Sequence, residues 1–537
     1  MKKGYLAIVL NAHLPYIRNL EDRRTVEERW LFEAVIECYI PLLQKLSALE
    51  EDGIPFKLTI ALSPTLCAML GDELLRHRTA RHLDNLEKLA EKEIERTNGS
   101  FHLQYLANFY RRRFEEIRKF WEKISGDIIG AFKSLEEKGY VEIIAGAATH
   151  GYLPLLAIYD EAVRWQIKTG VQEHIRLFSK APHGIWLPEC GYYPGLEYEL
   201  ARNGIHFFIV ETKSLSGAPQ RPRYWIYAPV YTPAGVAAFG RDPESSKQVW
   251  SAETGYPGDP WYRDFYRDIG FDLPNENLWE LALPDGERTF TGIKYHRITH
   301  KDKLENKDLY HPNEARQRAS EHAGNFVLGR LQRAKQIFPL MDRPPVFVAP
   351  YDAELFGHWW FEGPEFLDFV FRKLYYDQNE IEPITLSEYL IRHPLNQMLT
   401  PAEGSWGANG DHSVWLSPSN AWMWRYIHAA TKRMSEMIEK IEIAKANEIL
   451  LRAVAQAGRE LLLAQSSDWA FMLFANRCVE FAKQKFTTHI EAFKKLADDI
   501  EKGKIEISYL EELEKRDNIF PELDINTFKK QDNRGVI

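Results

Sequence analysis

Two carboxylates in this 537-residue chain stand where an acid could take part in chemistry. Glu189 follows a short apolar run and precedes Tyr192 and Tyr193, and Asp352 follows the apolar run Val346–Ala349. An acid at the end of a buried strand loses hydration unless it is paired or used. Tyrosine rings suit the apolar face of a sugar, and their hydroxyls can hydrogen-bond. Paired carboxylates beside a sugar are what glycoside hydrolysis requires, although either acid alone would more commonly be salt-bridged.

Two other chemistries could use residues of the same stretches. His13 follows the apolar run Leu6–Leu10 and would be the natural ligand of a hydrolytic metal, but no His-X-Asp or His-Glu-X-X-His pattern accompanies it. Cys190 could act as a nucleophile only with a base and an electropositive setting, whereas its neighbour is Glu189. Residue chemistry alone therefore favours paired carboxylates and leaves a metal-dependent hydrolase as a weaker alternative.

Polar residues recur where the predicted strands end. Short apolar runs alternate with helical patterns, which predicts an α/β fold with a parallel sheet, open or closed into a barrel. In either form the functional groups gather at the carboxyl ends of the strands. The residues in that position are His13, His150, Glu189, Glu211 and Asp352. Together they predict an active site at this edge, although each alone has an ordinary structural explanation.

The alternation of strands and helices is interrupted twice. Residues 71–139 carry only helical periodicity and predict a helical insertion domain. Residues 395–537 predict a C-terminal helical domain, so residues 1–70 and 140–394 together form the predicted catalytic barrel. Residues 214–275 are rich in Gly, Pro, Tyr and Trp with little periodicity, which predicts a long functional loop.

The composition limits the expected partners and compartment. A formal net charge of −9 and a pI near 6.1 argue against nucleic acid or an anionic membrane as a partner. No apolar run is long enough to span a membrane. The 4 cysteines are scattered, which predicts reduced, buried thiols in a cytoplasmic protein. The 15 Trp and 25 Tyr residues fit a carbohydrate-binding surface as well as a core.

Three motifs carry a resemblance to a known family. They are His-Leu-Pro-Tyr at 13–16, Trp-Leu-Pro-Glu-Cys-Gly-Tyr at 186–192 and Tyr-Asp-Ala-Glu-Leu-Phe-Gly-His-Trp-Trp at 351–360. With them the chain resembles family 57 of the glycoside hydrolases, and more closely that family's 1,4-α-glucan branching enzymes. The blocks Phe239–Ser246 and Gln465–Trp469 also fit, so the resemblance covers most of the chain.

The resemblance implies a fold, a reaction and a set of site residues. The implied fold is a distorted (β/α)7 barrel with a helical insertion and a C-terminal α-helical bundle. The implied reaction is retaining, needs no metal or cofactor, and acts on an α-glucan such as amylose or a glycogen-like polymer. Glu189 would be the nucleophile and Asp352 the general acid and base. The implied substrate-binding residues are His13, His150, Trp406, Trp415, Gln465 and Asp468, with Phe271 and Trp360 as further stacking candidates that could equally be core aromatics.

The resemblance also implies an aromatic loop that covers the site and excludes water. Ser214–Trp250 is the candidate loop, and its predicted tip Pro233–Phe239 has no tyrosine, although Tyr231 is nearby. Poor closure would let water compete with a glucan acceptor, so side hydrolysis is expected. An α-amylase, a 4-α-glucanotransferase of the same family and a catalytically dead glucan-binding protein are the alternatives. A monomer or a small homo-oligomer is expected.

Overall fold

Seven parallel strands, counted over the described part of the chain, form a closed ring. The computed structural model describes residues 2–21, 25–251, 254–278, 281–284, 286–300 and 304–529. The strands are β1 (Gly4–Ala12), β2 (Leu58–Leu62), β3 (Val141–Gly146), β4 (Gly184–Trp186), β5 (Phe207–Val210), β6 (Val230–Tyr231), β7 (Ala237–Gly240), β8 (Val346–Asp352) and β9 (Ile381–Pro383). The ring runs β1-β2-β3-β4-β5-β7-β8 and returns to β1. The predicted α/β barrel is therefore confirmed.

The junction of β7 and β8 closes the ring and distorts it. It consists of a single parallel bridge between Arg241 and Val348, with the Asp242 amide donating to the Val348 carbonyl at 2.8 Å. Two short strands lie outside the ring: β6 pairs antiparallel with β7, and β9 pairs parallel with the start of β1. Because the strands of the ring are parallel, all of them end at the same face of the barrel.

Alternate residues of the strands fill two separate cores. In β1, Ala7 and Val9 belong to the small cluster inside the ring, together with Ile144, Trp186 and Val348. The other face of β1 packs into the large cluster beneath the surrounding helices. Burial on both faces explains why the strands are continuous apolar runs rather than alternating ones.

Helices surround the ring and fill the rest of the described chain. They are α1 (Val26–Glu33), α2 (Ile40–Glu51), α3 (Pro64–Gly71), α4 (Glu73–Arg96), α5 (Phe101–Lys123), α6 (Ile128–Glu137), α7 (Leu153–Leu156), α8 (Asp160–Phe178), α9 (Leu196–Arg202), α10 (Thr212–Ser216), α11 (Pro243–Trp250), α12 (Ile269–Asp272), α13 (Asn275–Leu278), α14 (Pro312–Ile337), α15 (Gly363–Tyr376), α16 (Leu386–Arg392), α17 (Ala421–Glu439), α18 (Glu448–Ala464), α19 (Ser467–Phe474), α20 (Val479–Lys502) and α21 (Ile507–Arg516). Residues Ala34–Tyr39 form a π-helical turn between α1 and α2.

The two helical regions lie where the sequence predicts helices. Helices α4, α5 and α6 separate β2 from β3, and α4 and α5 bury apolar side chains such as Leu86 and Phe114. Helices α17–α21 follow the barrel, and the junction of α18 and α19 reaches its carboxyl face, where the Ser467 amide donates to the His150 carbonyl at 3.1 Å. The exact domain boundaries stay a prediction.

The expected covering loop at Ser214–Trp250 is wrong. This segment contains β6, β7 and α11, and its predicted tip includes Val236–Phe239, which are buried in the wall of the barrel. The turn between β6 and β7 precedes β7, so it lies at the amino face, opposite the strand ends that carry Glu189 and Asp352.

Two smaller expectations also fail. The apolar stretch Ile384–Leu386 reads in the sequence as the last strand, but the observed β9 ends at Pro383 just before it, and Leu386 begins α16. Cys478 is exposed, whereas the other three cysteines are buried as expected. No described helix is long and apolar enough to cross a membrane.

Candidate active site

Glu189 is held in a backbone conformation that few residues adopt. It follows β4 with φ 60° and ψ 23°, and Cys190 has φ 50°. Left-handed conformations of residues other than glycine cost about 1–3 kcal/mol and persist only where surrounding contacts impose them. One such contact is the hydrogen bond from the Trp406 amide to the Glu189 carbonyl at 3.0 Å. The surrounding contacts thus hold Glu189 in an unfavourable backbone conformation that orients its carboxylate.

The carboxylate of Glu189 receives two hydrogen bonds from segments that follow the barrel strands. Trp406 Nε1 donates to Oε2 at 2.8 Å, and Ser467 Oγ donates to Oε1 at 3.0 Å. His150 Nε2 lies 3.9 Å from Oε1. Donors to both oxygens stabilise the ionised carboxylate, which is the form a nucleophile needs.

Asp352 ends β8 and lies beside Asn11 of β1. The two residues are register partners, and Asn11 Nδ2 donates to Asp352 Oδ1 at 3.3 Å. Glu354, two residues further on, accepts hydrogen bonds from the Tyr39 hydroxyl and from the His13 amide, the latter at 3.1 Å. Glu354 therefore fixes the loop that follows Asp352.

His13 and His150 stack on each other beside the two acids. Their ring centroids are 3.8 Å apart with 12° between the planes. His13 Nδ1 bonds Ser63 Oγ at 2.9 Å, and Nε2 bonds Asp468 Oδ2 at 3.0 Å. Burial lowers the pKa of His13, but Asp468 outweighs it, so the pKa is raised. Burial and the charge on His13 hold the pKa of His150 well below its ordinary value. A proton on the pair is therefore favoured at His13 over His150.

Burial raises the pKa of both acids. For Glu189 it reaches about 7, because the charges of Asp468 and Asp352 add to the effect of burial and outweigh the hydrogen bonds from Trp406 and Ser467. For Asp352 it reaches about 6, since the Asn11 hydrogen bond and the charges of His13 and Arg241 offset part of the burial. The charge of Asp352 thus disfavours ionisation of Glu189, and the two acids together hold one proton between about pH 6 and 7.

Arg241 adds a fixed positive charge to the same face. It follows β7, pairs with Glu211 at 3.1 Å and lies over the ring of Trp406, with its guanidinium carbon 5.6 Å from the ring centroid. Its charge lowers the pKa of Asp352. Glu211, one of the five polar residues predicted at strand ends, is therefore neutralised in an ion pair.

Known protein families match this chain over most of its length. The model of glycosyl hydrolase family 57 matches residues 7–401. The chain belongs to glycosyl hydrolase family 57. A second model, the C-terminal region of 1,4-alpha-glucan branching enzyme, matches residues 426–528. The family assignment confirms the resemblance seen in the sequence motifs.

Three known proteins show what the chain is similar to. The 1,4-alpha-glucan branching enzyme TK1436 of Thermococcus kodakarensis is 36% identical over 562 residues, which cover 96% of this chain and 77% of that protein. The crystal structure of the novel alpha-amylase AmyC from Thermotoga maritima superposes with a TM-score of 0.92 at 41% identity, and the superposition covers 100% of both chains. That of the branching enzyme from Pyrococcus horikoshii has a TM-score of 0.88 at 34% identity, covering 100% of this chain and 98% of its own.

The family 57 site gathers most of the residues predicted for it. Around Glu189 and Asp352 lie four of the eight predicted substrate-binding residues: His13, His150, Trp406 and Asp468. Asp468 bonds His13, and although burial raises its pKa, His13 lowers it to about 2. These contacts support the predicted set, while the role of each residue in binding sugar stays a prediction.

Three predicted substrate-binding residues are buried and lie behind the site. Trp360 packs among Tyr262, Phe356 and Phe366 and is 1% exposed. Trp415 is equally buried, and its ring stacks on Tyr152 with centroids 4.3 Å apart. As placed, neither ring offers a face to a sugar.

Gln465 is the third buried residue of the predicted substrate-binding set. Neither Gln465 nor Phe271 makes the contact with substrate that the sequence predicts for it. Gln465 is 1% exposed, and its side-chain carbonyl accepts a hydrogen bond from Gln166 at 3.0 Å. Phe271 is exposed, but it packs on Phe290 in a groove with Tyr266. Trp359, the residue before Trp360 in the sequence, is more exposed than Trp360, and its ring stacks on Phe265.

Sequence reasoning missed three residues of this site. Arg241 follows β7, a strand that the sequence predicts as loop, so nothing marks it as a strand-end residue. Ser467 stands next to Asp468, so its place in the Gln465–Trp469 motif was the signal that could have found it. Asn11 lies two residues before His13 and becomes a site residue through its register with Asp352.

The two alternative chemistries find little support in the geometry. Burial raises the pKa of the Cys190 thiol well above its ordinary value, which disfavours a thiolate. Among the described residues, the group with metal-ligand spacing is Glu460, His489 and Asp517 in the C-terminal helices, away from Glu189. There His489 Nδ1 bonds Glu460 Oε2 at 2.7 Å, so these two side chains pair with each other.

Proposed function

We propose that this protein is a 1,4-α-glucan branching enzyme that works by a retaining double displacement. The observation that carries the proposal is the strained Glu189, whose carboxylate receives two hydrogen bonds and whose pKa is raised by burial and in part by the charge of Asp352, which ends β8 at the same face of the barrel. The match of residues 426–528 to the C-terminal region of branching enzymes supports the transfer reaction.

In the first step Glu189 attacks the anomeric carbon of an α-1,4-linked glucose. The bond from that carbon to the glycosidic oxygen breaks, and Asp352 gives its proton to the leaving oxygen. The donor chain is then covalently attached to Glu189, and Asp352 is left ionised. The hydrogen bonds from Trp406 and Ser467 favour the carboxylate before attack, and His13, whose pKa is raised by Asp468, is placed to stabilise the developing charges when it is protonated.

In the second step Asp352 removes the proton from an acceptor hydroxyl. When the acceptor is the 6-hydroxyl of another glucan chain, its oxygen displaces Glu189 and an α-1,6 branch forms. When the acceptor is water, the donor chain is hydrolysed. Both outcomes use the same carboxylates, so the ratio of branching to hydrolysis depends on how the site binds acceptor and excludes water.

The segment Glu403–Trp415 is the best-placed cover for the site. It carries Trp406 to Glu189 and is fastened to the barrel through the Tyr152 hydroxyl, which bonds His412 Nδ1 at 2.6 Å. Trp415 at its end stacks on the same tyrosine. This segment takes the role that the sequence motifs assign to Ser214–Trp250.

The pH dependence of kcat/KM is expected to be bell-shaped, with its maximum between about pH 6 and 7. Below that range both acids are protonated, and Glu189 cannot attack. Above it both are ionised, and Asp352 cannot donate a proton. Initial rates on amylose, measured from about pH 4 to about pH 9, define both limbs of the profile. A kcat/KM that stays constant from about pH 5 to about pH 9 would contradict a pair of acids that shares one proton.

Trp406→Phe is expected to lower kcat/KM roughly 10- to 100-fold, since it removes a hydrogen bond to a charged carboxylate. Loss of this donor also raises the pKa of Glu189, so the acid limb should move to higher pH. Trp415→Phe is the matched control, because Trp415 Nε1 has no hydrogen-bond partner in the described structure. Equal losses in the two variants would show that ring packing, not the N–H donor, matters.

The second candidate function is an α-amylase, favoured by the similarity to AmyC at 41% identity. Incubation with amylose followed by a debranching enzyme separates the two. A branching enzyme yields products from which the debranching enzyme releases new short chains. Linear shortened products that resist debranching would favour the amylase or a 4-α-glucanotransferase, and no turnover at all would favour a glucan-binding protein. The proposed partner is the α-glucan polymer, and the oligomeric state stays a prediction.

A further inference from the structure

Trp225 is an exposed tryptophan in a disfavoured backbone conformation. Its φ is 51°, a left-handed value that bulky residues rarely adopt, and its side chain is 37% exposed. Single exposed aromatic residues are common on protein surfaces. Strained conformations, in contrast, concentrate at sites of binding or catalysis, where surrounding contacts hold them. The surroundings of Trp225 therefore decide whether it has a role.

Two clefts share Trp225 in their lining. One has a volume of about 300 Å³ and is lined by Tyr227, Glu244, Gln332 and Arg333 among others. The other has a volume of about 430 Å³ and is lined by Arg223, Tyr224, Asp342, Arg343, Asn396 and Gln397 among others. Trp225 lines both clefts. An aromatic wall with planar polar groups around it is the arrangement that binds sugar rings, by stacking and by hydrogen bonds to hydroxyls.

Contacts hold both the ring of Trp225 and the segment that carries it. The ring packs edge to face on Tyr227 with centroids 5.5 Å apart, and the Tyr227 hydroxyl accepts a hydrogen bond from Arg333 Nε at 3.1 Å. Two residues before Trp225, the Arg223 amide donates to Gln397 Oε1 at 2.6 Å. Because the Trp225 side chain is already ordered, little side-chain entropy is lost when a ligand binds to it.

The charges around Trp225 suit a neutral ligand better than an anion. Of the three arginines, Arg343 pairs with Asp342 at 2.7 Å, and Arg333 is engaged by Tyr227. Arg223 lies over the ring of Tyr224 and 4.0 Å from Asp342. Glu244 adds a further negative charge to the first cleft. A phosphate would meet carboxylates on both sides, whereas sugar hydroxyls can both donate and accept.

Trp225 is far from the catalytic carboxylates. The Tyr227 carbonyl accepts a hydrogen bond from the Val346 amide, which begins β8, whereas Asp352 ends the same strand. A strand of this length spans about 20 Å. A short oligosaccharide in the active site cannot reach Trp225, but a long glucan chain can pass from one to the other.

We propose that the clefts around Trp225 form a second α-glucan-binding site that holds polymeric substrate on the enzyme. This inference rests on the proposed function for the identity of the sugar. A polymer bound at Trp225 presents its other segments to the active site at a raised effective concentration. The second site then lowers the KM for amylose and glycogen and leaves the reaction of short maltooligosaccharides unchanged.

Binding to the polymer, measured without turnover, tests the second site. In a Glu189→Gln background, affinity electrophoresis in gels containing glycogen or soluble amylose reports the Kd for each polymer. Trp225→Ala is expected to raise this Kd about tenfold, as loss of one aromatic stacking contact would. Trp225→Gly removes the same ring and also relieves the positive φ, so it should bind equally weakly and keep the thermal stability of the parent. Tyr376→Ala is the control, because Tyr376 is 66% exposed and lies on α15 outside both clefts.

The activity of Trp225→Ala in the otherwise native enzyme completes the test. The KM for amylose should rise, and kcat/KM for maltoheptaose should match the parent. Unchanged polymer affinity in both Trp225 variants would overturn the second site and leave the proposed branching reaction untouched. Conversely, if amylose treatment yields only linear products, the branching proposal fails while the binding result still stands. Weaker binding of inorganic phosphate, with no change for glycogen, would identify an anion site instead and would also overturn the proposal.

Discussion

Glu189→Gln is expected to lower kcat on amylose by at least about 10⁴-fold while the protein folds normally. Glutamine keeps the size of the side chain and one acceptor oxygen for the hydrogen bond from Trp406 or Ser467. It cannot form the ester with the donor chain, because the amide is a far weaker nucleophile than the carboxylate. Burial of Glu189 carries a cost in the native protein, since its pKa is raised to about 7. A neutral side chain removes that cost, so the melting temperature should be maintained or rise.

Glu211→Gln is the matched control for the nucleophile. It makes the same chemical change at the end of the neighbouring strand β5, where the carboxylate pairs with Arg241 at 3.1 Å. Loss of an ion pair at the edge of the site should cost less than about tenfold in kcat. Near-native turnover of Glu189→Gln on amylose, with batch purity checked by mass spectrometry, would remove Glu189 from the mechanism.

The sequence contains most of the information about where the acids lie, because strand ends in a parallel barrel share one face. Glu189 follows β4 and Asp352 ends β8, as the apolar runs before them predict. The same reasoning places His13 and His150 at that face. Their stacking could not be predicted, since it depends on side-chain directions at the ends of β1 and β3 that the register of the sheet decides.

The strand β7 shows why the rest of the fold was harder to predict. Its residues Ala237–Gly240 read Ala-Ala-Phe-Gly, which has little of the β-branched content that marks strands. The strand is buried because it lies between β5 and β8, a tertiary fact that local sequence does not carry. Misreading β7 as loop produced both the wrong covering loop and the failure to see Arg241 as a site residue.

Motifs located the tryptophans but did not tell which of them are accessible. Trp359 and Trp360 are adjacent, yet Trp359 is 45% exposed and Trp360 is 1% exposed. The 3-10 turn Ala353–Leu355 and the start of α15 fix which of the two points inward. Likewise Trp406 reaches Glu189, whereas Trp415 supports the segment from behind through Tyr152. Tryptophans that lie close together in the sequence can thus have different roles: one contacts the catalytic carboxylate, and another supports the segment by packing behind it.

In the proposed mechanism branching and hydrolysis use the same acids, so their ratio would depend on the segment that covers the site. Since the turn between β6 and β7 faces away from the site, we assign water exclusion to Glu403–Trp415, which brings Trp406 to Glu189. The Glu403–Trp415 segment is fastened at Tyr152 and at Glu189. A well-fastened cover favours acceptor glucan over water, because water enters most readily when a cover opens.

Asp352→Asn is expected to lower kcat on amylose by roughly 10³- to 10⁵-fold and to spare substrates that need no proton. In a glucan the leaving group is an alkoxide, so the first step fails without an acid. In an α-maltosyl fluoride the leaving group is fluoride, which departs unprotonated. Glu189 can then form the glycosyl ester in the variant, and breakdown of the ester to water becomes slow because the substituted amide cannot act as a base. A rapid burst of fluoride followed by a slow steady state is the expected time course.

Azide provides the decisive comparison for Asp352→Asn. As a small anion it attacks the anomeric carbon without a general base, so it should accelerate the slow steady state. The product should be α-maltosyl azide. The first step inverts the anomeric carbon once, and azide inverts it again when it displaces Glu189 from that carbon. The alkaline limb of the pH profile should disappear with this substrate, since the variant has no carboxylic acid at position 352 whose loss of a proton could end catalysis. Equal losses on amylose and on the fluoride would assign the acid and base role to another residue, with Glu354 the next candidate because it lies close to Asp352 and its pKa is raised to about 7 by burial. A β-configured azide would instead show a single displacement and would make Asp352 the nucleophile.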